Sequence, residues 1–360
     1  MCVCVVVQYD GRLPPNVLES RDGYFSELKS SIESMFTSNG KKKVVLIAHS
    51  LGTRVVTYFL RWAERTHGRA WASTYIYSWV AVGPLFLGAP KSVRATVSGE
   101  RMGLDAFLYP EEGVLLSRAV GSSPWMFPSL PRAYGLSSFA QVRVERDKYE
   151  ECSLHELMAF GECREAYDLY CKHYLEDPCH GDELENVAPP PVDRLLVIYG
   201  INLPTETIYF YRASEQSGRE RVTALELDPE ASVKNYKCNN GIGYETRKTR
   251  QPDGRSCSGD GTVPYASLSY CRKWDGTPGL ELKVTEFEKG EHRDILKDKR
   301  FVNQMIEYLC YPPPPVLLPE SFKDVKFDVR RISKGEHARV SFTCTNTALR
   351  ERDMMLMYSL

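Results

Sequence analysis

The sequence predicts an α/β fold, in which helices cover both faces of a mostly parallel sheet. One observation is a set of short continuous apolar runs, such as residues 44–48, which are typical of central parallel strands. Another is that these runs alternate with helical stretches, as they do in α/β proteins. The chain has 360 residues, enough to bury a full core, and α/β folds of this length commonly form one large domain with insertions.

The alternation begins at residues 24–36, where apolar residues recur at helical spacing and predict an amphipathic helix. The side chains on its apolar face are Phe25, Leu28, Ile32 and Phe36. Asn39-Gly40 ends this helix, residues 44–48 are predicted as a strand, and residues 51–64 as the next helix. Further strands are predicted at residues 75–82, 195–199 and 282–287.

Two changes in composition divide the chain. Between residues 105 and 191, proline, glycine, aromatic residues and cysteines are mixed and only short helical stretches remain, which indicates a cap inserted over the sheet. Tyr311 is followed by four prolines, which resist helix and central strand alike, and the alternation beyond them indicates a small β appendage. The predicted organisation is a first half of the core at residues 1–104, the cap at 105–191, the second half of the core at 192–311 and a C-terminal extension at 312–360.

The charge balance gives no support for a nucleic-acid partner. The chain carries 46 Lys and Arg residues against 47 Asp and Glu, a formal net charge of −1, and shows no basic stripe. The apolar run at residues 5–7 is far too short for a signal sequence or a membrane span, so we expect no targeting segment. The sequence shows no metal-ligand cluster and no nucleotide-binding glycine loop, and no cofactor is predicted.

The eleven cysteines leave two interpretations open. Buried thiols behave as small hydrophobic side chains, whereas in an oxidising compartment they could pair as disulfides. Four of them lie in one segment, at Cys152, Cys163, Cys171 and Cys179, and three in another, at Cys238, Cys257 and Cys271. Because the count is odd, at least one thiol stays unpaired in a monomer.

Ser50 lies between a predicted strand and a predicted helix, in the peptide Ala48-His49-Ser50-Leu51-Gly52. This is a variant of the nucleophile elbow, in which small residues flank a serine because the sharp turn brings backbones close together. Leu51 would supply a backbone N–H that forms half of an oxyanion hole, aided by the positive end of the following helix. His49 is an alternative base, but adjacent residues at a sharp turn point apart.

Two further peptides, in the second half of the predicted core, supply an acid and a base. Asp260 lies in the glycine-flanked peptide at residues 258–264, where a carboxylate could orient a histidine; taken alone, this peptide is also an ordinary turn. His292 lies further along, at residues 290–296. The chain order Ser50, Asp260, His292 is that of α/β-hydrolases. We therefore predict a catalytic triad with His292 as the base, in an α/β-hydrolase fold with a cap insertion.

Eight peptides run in order from residue 9 to residue 296. The first four are Tyr9-Asp10-x-Arg12-Leu13, Glu19-x-Arg21-Asp22-Gly23-Tyr24-Phe25-Ser26-x-Leu28-Lys29, Ala48-His49-Ser50-Leu51-Gly52 and Leu87-Gly88-Ala89-Pro90-Lys91. The others are Ser98-Gly99-Glu100, Tyr199-Gly200-x-Asn202-x-Pro204-Thr205-Glu206, residues 258–264 and Glu291-His292-x-Asp294-Ile295-Leu296. Together they resemble the lecithin:cholesterol acyltransferase family, and most closely its phospholipid:diacylglycerol acyltransferase branch, over most of the chain.

This resemblance implies an O-acyltransferase that works through an acyl-serine. Ser50 would take a fatty acyl group from a phospholipid and release a lysophospholipid, and diacylglycerol would then accept the group to give triacylglycerol. His292 would be the base and Asp260 would hold it. The implied partners are a phospholipid donor, a diacylglycerol or sterol acceptor and a membrane surface. The implied location is the endoplasmic reticulum membrane or lumen.

The resemblance also implies roles outside the triad. Cys271 is expected to form a disulfide, with Cys238 as the preferred partner and Cys257 as the second choice. Trp125, Met126 and Phe127 resemble a segment of the family's cap and could contact acyl chains, although buried packing inside the cap is the alternative.

Family members carry a long region before the Tyr9-Asp10 peptide. It contains a membrane anchor in the phospholipid:diacylglycerol branch, the first strands of the fold and an oxyanion-hole loop. We therefore expect an N-terminally truncated member whose fold lacks its first strands and its second oxyanion donor. Loss of one such donor typically costs ~100- to 1,000-fold in turnover. Gly11 also stands where the family has a tryptophan.

Two other functions remain open. Attack of water on the same acyl-serine would make the protein a phospholipase A or esterase, and the triad alone does not discriminate the two, because the outcome depends on whether the cap excludes water. A non-catalytic remnant of the family is the second alternative, favoured by the expected absence of the first strands and opposed by three intact triad residues.

Overall fold

The structure is a computed structural model that describes residues 3–100, 109–145, 148–180, 187–215, 223–232, 236–309, 326–328, 338–343 and 354–359. The strands are β1 (Val3–Tyr9), β2 (Val44–His49), β3 (Ile76–Val82), β4 (Ala140–Glu145), β5 (Lys148–Cys152), β6 (Arg194–Ile201), β7 (Thr205–Ala213), β8 (Leu225–Leu227), β9 (Lys237–Asn239), β10 (Ile242–Glu245), β11 (Glu281–Glu288), β12 (Lys326–Asp328), β13 (Ala338–Thr343) and β14 (Met354–Ser359).

The α-helices within these residues are α1 (Pro15–Asp22), α2 (Tyr24–Ser38), α3 (Leu51–His67), α4 (Ala70–Tyr75), α5 (Pro90–Ser98), α6 (Pro110–Ala119), α7 (Leu154–Phe160), α8 (Arg164–Tyr170), α9 (Tyr265–Leu268) and α10 (Lys299–Leu309). Short 3₁₀ turns occupy Ser123–Met126, Pro131–Tyr134, Tyr270–Trp274 and Asp294–Lys297, and a π turn occupies Cys171–Leu175. Every strand and helix predicted for the core forms, with ends that differ by at most three residues. No helix in the described part of the chain is long and apolar enough to cross a bilayer.

The main sheet has eight strands in the order β11-β6-β3-β2-β14-β1-β13-β12. The strands from β11 to β1 all pair in parallel, while β13 pairs antiparallel with β1 and with β12. This arrangement confirms the predicted α/β class with a mostly parallel sheet.

Strand β2 shows why the core strands are continuously apolar. Val44, Leu46 and Ala48 join one buried cluster, together with side chains of the helices α2 and α3. Val45 and Ile47 join a second cluster on the opposite face, together with side chains of α10. Since successive side chains of a strand point to opposite faces, a strand that is covered on both faces needs an apolar residue at every position.

A second sheet combines the predicted cap with residues from the second half of the predicted core. Its strand order is β5-β4-β7-β10-β9. In addition, β8 pairs antiparallel with residues 211–213 at the end of β7. Strand β4 from the cap region runs parallel to β7, which follows directly after β6 of the main sheet. The cap and the residues at 205–245 therefore share one sheet.

The predicted C-terminal extension contributes strands to the main sheet. Strands β12, β13 and β14 all lie in it, and β14 is inserted between β1 and β2. In register, Val5 and Leu46 are both partners of Met355. The place beside the strand that leads to Ser50 is thus occupied by a strand from the end of the sequence.

Candidate active site

Ser50 occupies a strained turn between β2 and α3. Its backbone has φ 52° and ψ −123°, a conformation that non-glycine residues adopt rarely and at a cost. The turn is held by hydrogen bonds from Ser50 N to the Val82 carbonyl (3.0 Å) and from Thr53 Oγ1 to the Ser50 carbonyl (2.6 Å). The strand-to-helix turn predicted from small flanking residues is therefore present, and it holds Ser50 at the carboxyl edge of the sheet.

The structure brings the three predicted triad residues into contact. The hydroxyl of Ser50 donates to Nε2 of His292 at 2.8 Å, although the two residues are 242 positions apart in the chain. Nδ1–H of His292 donates to Oδ2 of Asp260 at 2.7 Å. Asp260 Oδ1 accepts from the backbone N–H groups of Thr262 (3.1 Å) and Val263 (2.8 Å). The geometry is that of a Ser-His-Asp triad.

Burial and charge set the protonation of His292. The residue is 3% exposed and Asp260 is 0% exposed. Burial alone would lower the pKa of His292, but the charge of the adjacent Asp260 carboxylate and its hydrogen bond raise that pKa above the ordinary value of 6.5. A histidine held in this way can accept the proton of a serine hydroxyl and stay stabilised as an imidazolium.

His49 contacts the backbone of His292 instead of the serine hydroxyl. Its Nε2–H donates to the His292 carbonyl at 2.8 Å, and the two rings lie 5.0 Å apart. Burial and the neighbouring His292 lower the pKa of His49 to about 4, so the ring is a neutral donor at physiological pH. The geometry thus pairs Ser50 with His292 and leaves His49 to hold the loop that carries the base.

Leu51 is the first residue of α3, so its backbone N–H is among those that have no partner within the helix. This N–H lies at the positive end of the helix, as expected for the oxyanion donor. Strand β14 runs parallel beside β2, with Met357 as the register partner of Ala48, so its carboxyl end lies at the same edge of the sheet.

Gly83, which lies in none of the predicted site peptides, borders the side chains of His292 and Asp260. It has φ +51°, and a Cβ added to it would lie 3.0 Å from Nδ1 of His292 and 3.6 Å from Oδ2 of Asp260. Its N–H donates to the Ile198 carbonyl at 2.8 Å, which ties the end of β3 to β6. A glycine directly after a predicted central strand is the signal that could have identified it.

The peptide at residues 199–206 supports the acid-bearing loop. The backbone N–H groups of Asn202 and Leu203 donate to the carbonyls of Ser258 (2.9 Å) and Gly259 (3.0 Å), and Leu203 forms a parallel bridge with Asp260. Gly200 approaches the backbone of Gly290 so closely that no Cβ fits there. This peptide therefore sets the positions of both segments that bear His292 and Asp260.

Of the three cap residues predicted to contact substrate, Trp125 and Phe127 are buried in packing contacts. Trp125 is 1% exposed and Phe127 is 2% exposed, and both belong to the main core cluster. Met126 is partly buried against the same cluster. The alternative interpretation, buried packing, fits Trp125 and Phe127, because their rings contact Tyr58 of α3 edge-on and Tyr170 of α8 at a tilt, and both are almost fully buried.

The expected disulfide is not present. Cys238, Cys257 and Cys271 are all free thiols, as are the four described cysteines at 152, 163, 171 and 179. Cys238 lies on β9 of the second sheet, whereas Cys271 is completely buried in the turn Tyr270–Trp274. Cys238 is half-buried and Cys271 is fully buried, and both stay thiols in this structure. The described residues also contain no group of three or more side chains arranged to hold a metal ion.

The serine lies in a strained turn at the end of a central parallel strand, and it is hydrogen-bonded to a histidine from the far end of the core. This arrangement identifies the fold as an α/β-hydrolase type. A comparison of the sequence with models of protein families agrees with this class. A model described as lecithin:cholesterol acyltransferase matches residues 3–151 and 142–299, and the chain belongs to that family.

Individual relatives are 26% to 29% identical to the chain over the aligned residues. A phospholipid--sterol O-acyltransferase of Arabidopsis thaliana is 28% identical over 80% of this chain and 54% of its own length. A phospholipid:diacylglycerol acyltransferase of Saccharomyces cerevisiae is 29% identical over 74% of this chain and 45% of its own length. A bovine lysosomal phospholipase A and acyltransferase is 26% identical over 80% of this chain and 58% of its own length. The chain thus spans about half the length of these relatives.

Proposed function

We propose that this chain carries the catalytic site of an O-acyltransferase, which moves a fatty acyl group from a phospholipid to diacylglycerol through an acyl-serine. The products are triacylglycerol and a lysophospholipid. The observation that carries the proposal is the hydrogen bond of 2.8 Å between the Ser50 hydroxyl and Nε2 of His292, within a member of a lipid acyltransferase family.

The first half-reaction transfers the acyl group to the enzyme. Nε2 of His292 accepts the hydroxyl proton of Ser50 while Oγ attacks the ester carbonyl carbon of the phospholipid. The Leu51 N–H and the N-terminal end of α3 stabilise the oxyanion that forms. When the bond from the acyl carbon to the glycerol oxygen breaks, His292 gives its proton to that oxygen, and the lysophospholipid leaves.

The second half-reaction uses the same residues in reverse. His292 takes the proton of the diacylglycerol hydroxyl, and the resulting oxygen attacks the acyl carbon of the acyl-serine. The bond to Ser50 Oγ then breaks, and His292 returns the proton to Oγ. Asp260 accepts the hydrogen bond from Nδ1 throughout and stabilises each imidazolium.

The acceptor decides between three outcomes. Diacylglycerol is the acceptor favoured by the peptides at residues 199–206 and 258–264. The yeast relative is a phospholipid:diacylglycerol acyltransferase, and the plant relative is a phospholipid--sterol O-acyltransferase. Water as acceptor would give a phospholipase A, the alternative represented by the name of the bovine relative. We propose that the reaction takes place at a membrane surface of the endoplasmic reticulum, the location implied by the resemblance to the family.

The test is an assay with a phospholipid labelled in its acyl chain and unlabelled diacylglycerol, run with the protein and with Ser50→Ala. Label in triacylglycerol that disappears in Ser50→Ala supports transfer through this serine. Label mainly in free fatty acid would replace the proposal with hydrolysis, and label in steryl ester on addition of sterol would replace the acceptor. No turnover by the folded protein would favour the non-catalytic alternative.

A further inference from the structure

Glu245 is a buried carboxylate that takes no part in the proton transfers described above. It is the last residue of β10 in the second sheet, and it is 3% exposed. Its Oε1 accepts from the backbone N–H of Gly259 at 2.6 Å and from that of Tyr265 at 2.7 Å. Its Oε2 accepts from Nε2 of Gln251 at 3.1 Å. A single carboxylate therefore joins two points of the chain on either side of Asp260.

The two points matter because they hold the acid-bearing loop from outside, in addition to the hydrogen bonds that Asp260 makes within it. Inside the loop, the Asp260 N–H donates to the Val263 carbonyl at a long 3.3 Å. Further support comes from Thr205, whose Oγ1 accepts from the Gly261 N–H at 3.0 Å. Thr205 is the register partner of Glu245 across the β7–β10 pair. These two neighbouring residues of the second sheet thus hold the loop through three backbone N–H groups.

Placing a carboxylate here is costly, which argues that the position serves a purpose. Complete burial raises the pKa of Glu245 to about 7, and the nearby charge of Asp260 adds to this rise, while the three hydrogen bonds oppose it. In its ionised form the Glu245 side chain binds the two N–H groups more strongly than a neutral side chain would, since hydrogen bonds to a charged acceptor are roughly twice as strong as neutral ones.

We propose that Glu245 is a positioning residue for Asp260, which couples the second sheet to the triad. Glu245 acts through the loop that carries Asp260. Because Glu245 binds the backbone of Gly259 and Tyr265, the Asp260 carboxylate stays 2.7 Å from Nδ1 of His292. This inference deepens the proposed function and rests on it for its kinetic consequence, but the positioning itself is a property of the folded protein that can be measured without turnover.

The kinetic test compares Glu245→Ala, Glu245→Gln and the control Asp228→Asn in the acyl-transfer assay. Alanine removes both acceptors, and we expect kcat to fall about 100-fold, the typical effect of a misplacement near 1 Å, with KM little changed. Glutamine keeps one oxygen for the two N–H groups, so kcat should recover to within roughly tenfold of the parent. Asp228 is equally buried beside the second sheet but binds Tyr149 and Arg143 instead of the loop, so its variant should keep the parent kcat.

The second test measures the His292–Asp260 contact directly by the far-downfield NMR resonance of the His292 Nδ1 proton, assigned with His292→Gln. Because Asp260 raises the pKa of His292, displacement of the loop should lower the pH at which this resonance titrates in Glu245→Ala, with Glu245→Gln between that variant and the parent. An unchanged titration in folded Glu245→Ala overturns the inference, even where kcat falls.

The two measurements separate this inference from the proposed function. An inactive parent protein with the expected shift in Glu245→Ala would reject the acyltransferase and keep the positioning role. An active parent with neither a shift nor a change in kcat in the folded variant would keep the acyltransferase and reject the role of Glu245.

Discussion

Ser50 and Gly83 show how single residues set the geometry of the candidate site. Ser50 carries a φ of 52°, which for a residue with a side chain costs roughly 1–2 kcal/mol and is tolerated because the surrounding hydrogen bonds hold the turn. Gly83 has a similar φ of 51°, but here the absence of a side chain is what the site needs. The space that a Cβ would occupy lies against the imidazole of His292.

We expect Gly83→Ala to reduce kcat about 100-fold, because the new methyl group would displace His292 from Asp260 and Ser50. The matched control is Gly40→Ala, which has φ +62° but nothing within 4 Å of the added Cβ. It should lose a comparable ~1–2 kcal/mol of stability through backbone strain and keep its kcat. The measurements are kcat and urea unfolding of both variants. An equal change of kcat in the two variants would contradict the role assigned to Gly83.

The raised pKa of His292 predicts the pH dependence of turnover. His292 acts as a base only when it is neutral, so kcat/KM should decline as the pH falls through a pKa above 6.5, the ordinary value. In Asp260→Asn the charge that raises this pKa is gone, so the acidic limb should move to lower pH while kcat drops by about 10⁴. A pH–rate profile of both proteins checks the prediction, and an acidic limb that stays in place would exclude His292 as its source.

At the scale of elements, the short turn Ser123–Met126 connects the cap to the helix behind the nucleophile. Its Trp125 carbonyl accepts from Nε of Arg54 on α3 at 3.1 Å, and its Met126 carbonyl accepts from the Ala89 N–H at 2.8 Å. The Trp125 ring lies between Tyr58 of α3 and Tyr174, with ring centroids about 6 Å apart. The sequence feature predicted to bind acyl chains therefore joins two layers of the fold.

Trp125→Ala should lower the free energy of unfolding by about 3–5 kcal/mol, the usual cost of removing a fully buried tryptophan. The KM for phospholipid should be unchanged in the protein that remains folded, because the ring has no surface for substrate. Urea denaturation and initial rates at several phospholipid concentrations give the two quantities. The free energy of unfolding of Trp125→Phe, which refills part of the space, should lie between those of the parent and Trp125→Ala. A raised KM without loss of stability would restore the substrate-binding interpretation.

At the scale of the whole molecule, the main sheet depends on strands that are far apart in sequence. Strand β14 lies between β1 and β2 and pairs with both in parallel, so it joins the first strand of the chain to the strand that leads to Ser50. Strand β12, by contrast, lies at the end of the strand order and pairs with β13.

Leu356→Pro should be much more disruptive than Phe327→Pro. Proline removes an N–H from the strand ladder, and in a strand paired on both sides this leaves a buried carbonyl without its donor, at a cost of about 2 kcal/mol or more. Phe327 lies on the strand at the end of the order of the described strands, where only one side is paired, and we expect a change under about 1 kcal/mol. Urea unfolding monitored by circular dichroism measures both, and equal midpoints would show that β14 does not join the sheet in solution.

Much of the core and the triad could be predicted from the sequence because their signals are local. The apolar runs at β2, β3 and β6 reflect burial on both faces, and small residues around Ser50 reflect the crowding of a tight turn. Each of the peptides around Asp260 and His292 is ambiguous alone, but their order along the chain is specific. The family assignment rests on these same peptides and is confirmed by the match over residues 3–151 and 142–299.

The tertiary structure decided what depends on contacts between distant residues. Glu245 and Gly83 support the triad, yet neither lies in a peptide that predicts such a role, since only the folded chain brings the loop of Asp260 to Glu245 and the imidazole of His292 to Gly83. Two other features also depend on contacts between distant residues. They are the free thiols at Cys238 and Cys271 and the burial of Trp125. The local sequence pattern therefore determined the helices, the strands and the reactive residues. Packing determined which residues position the triad, because a contact between distant segments produces no periodic pattern in the sequence.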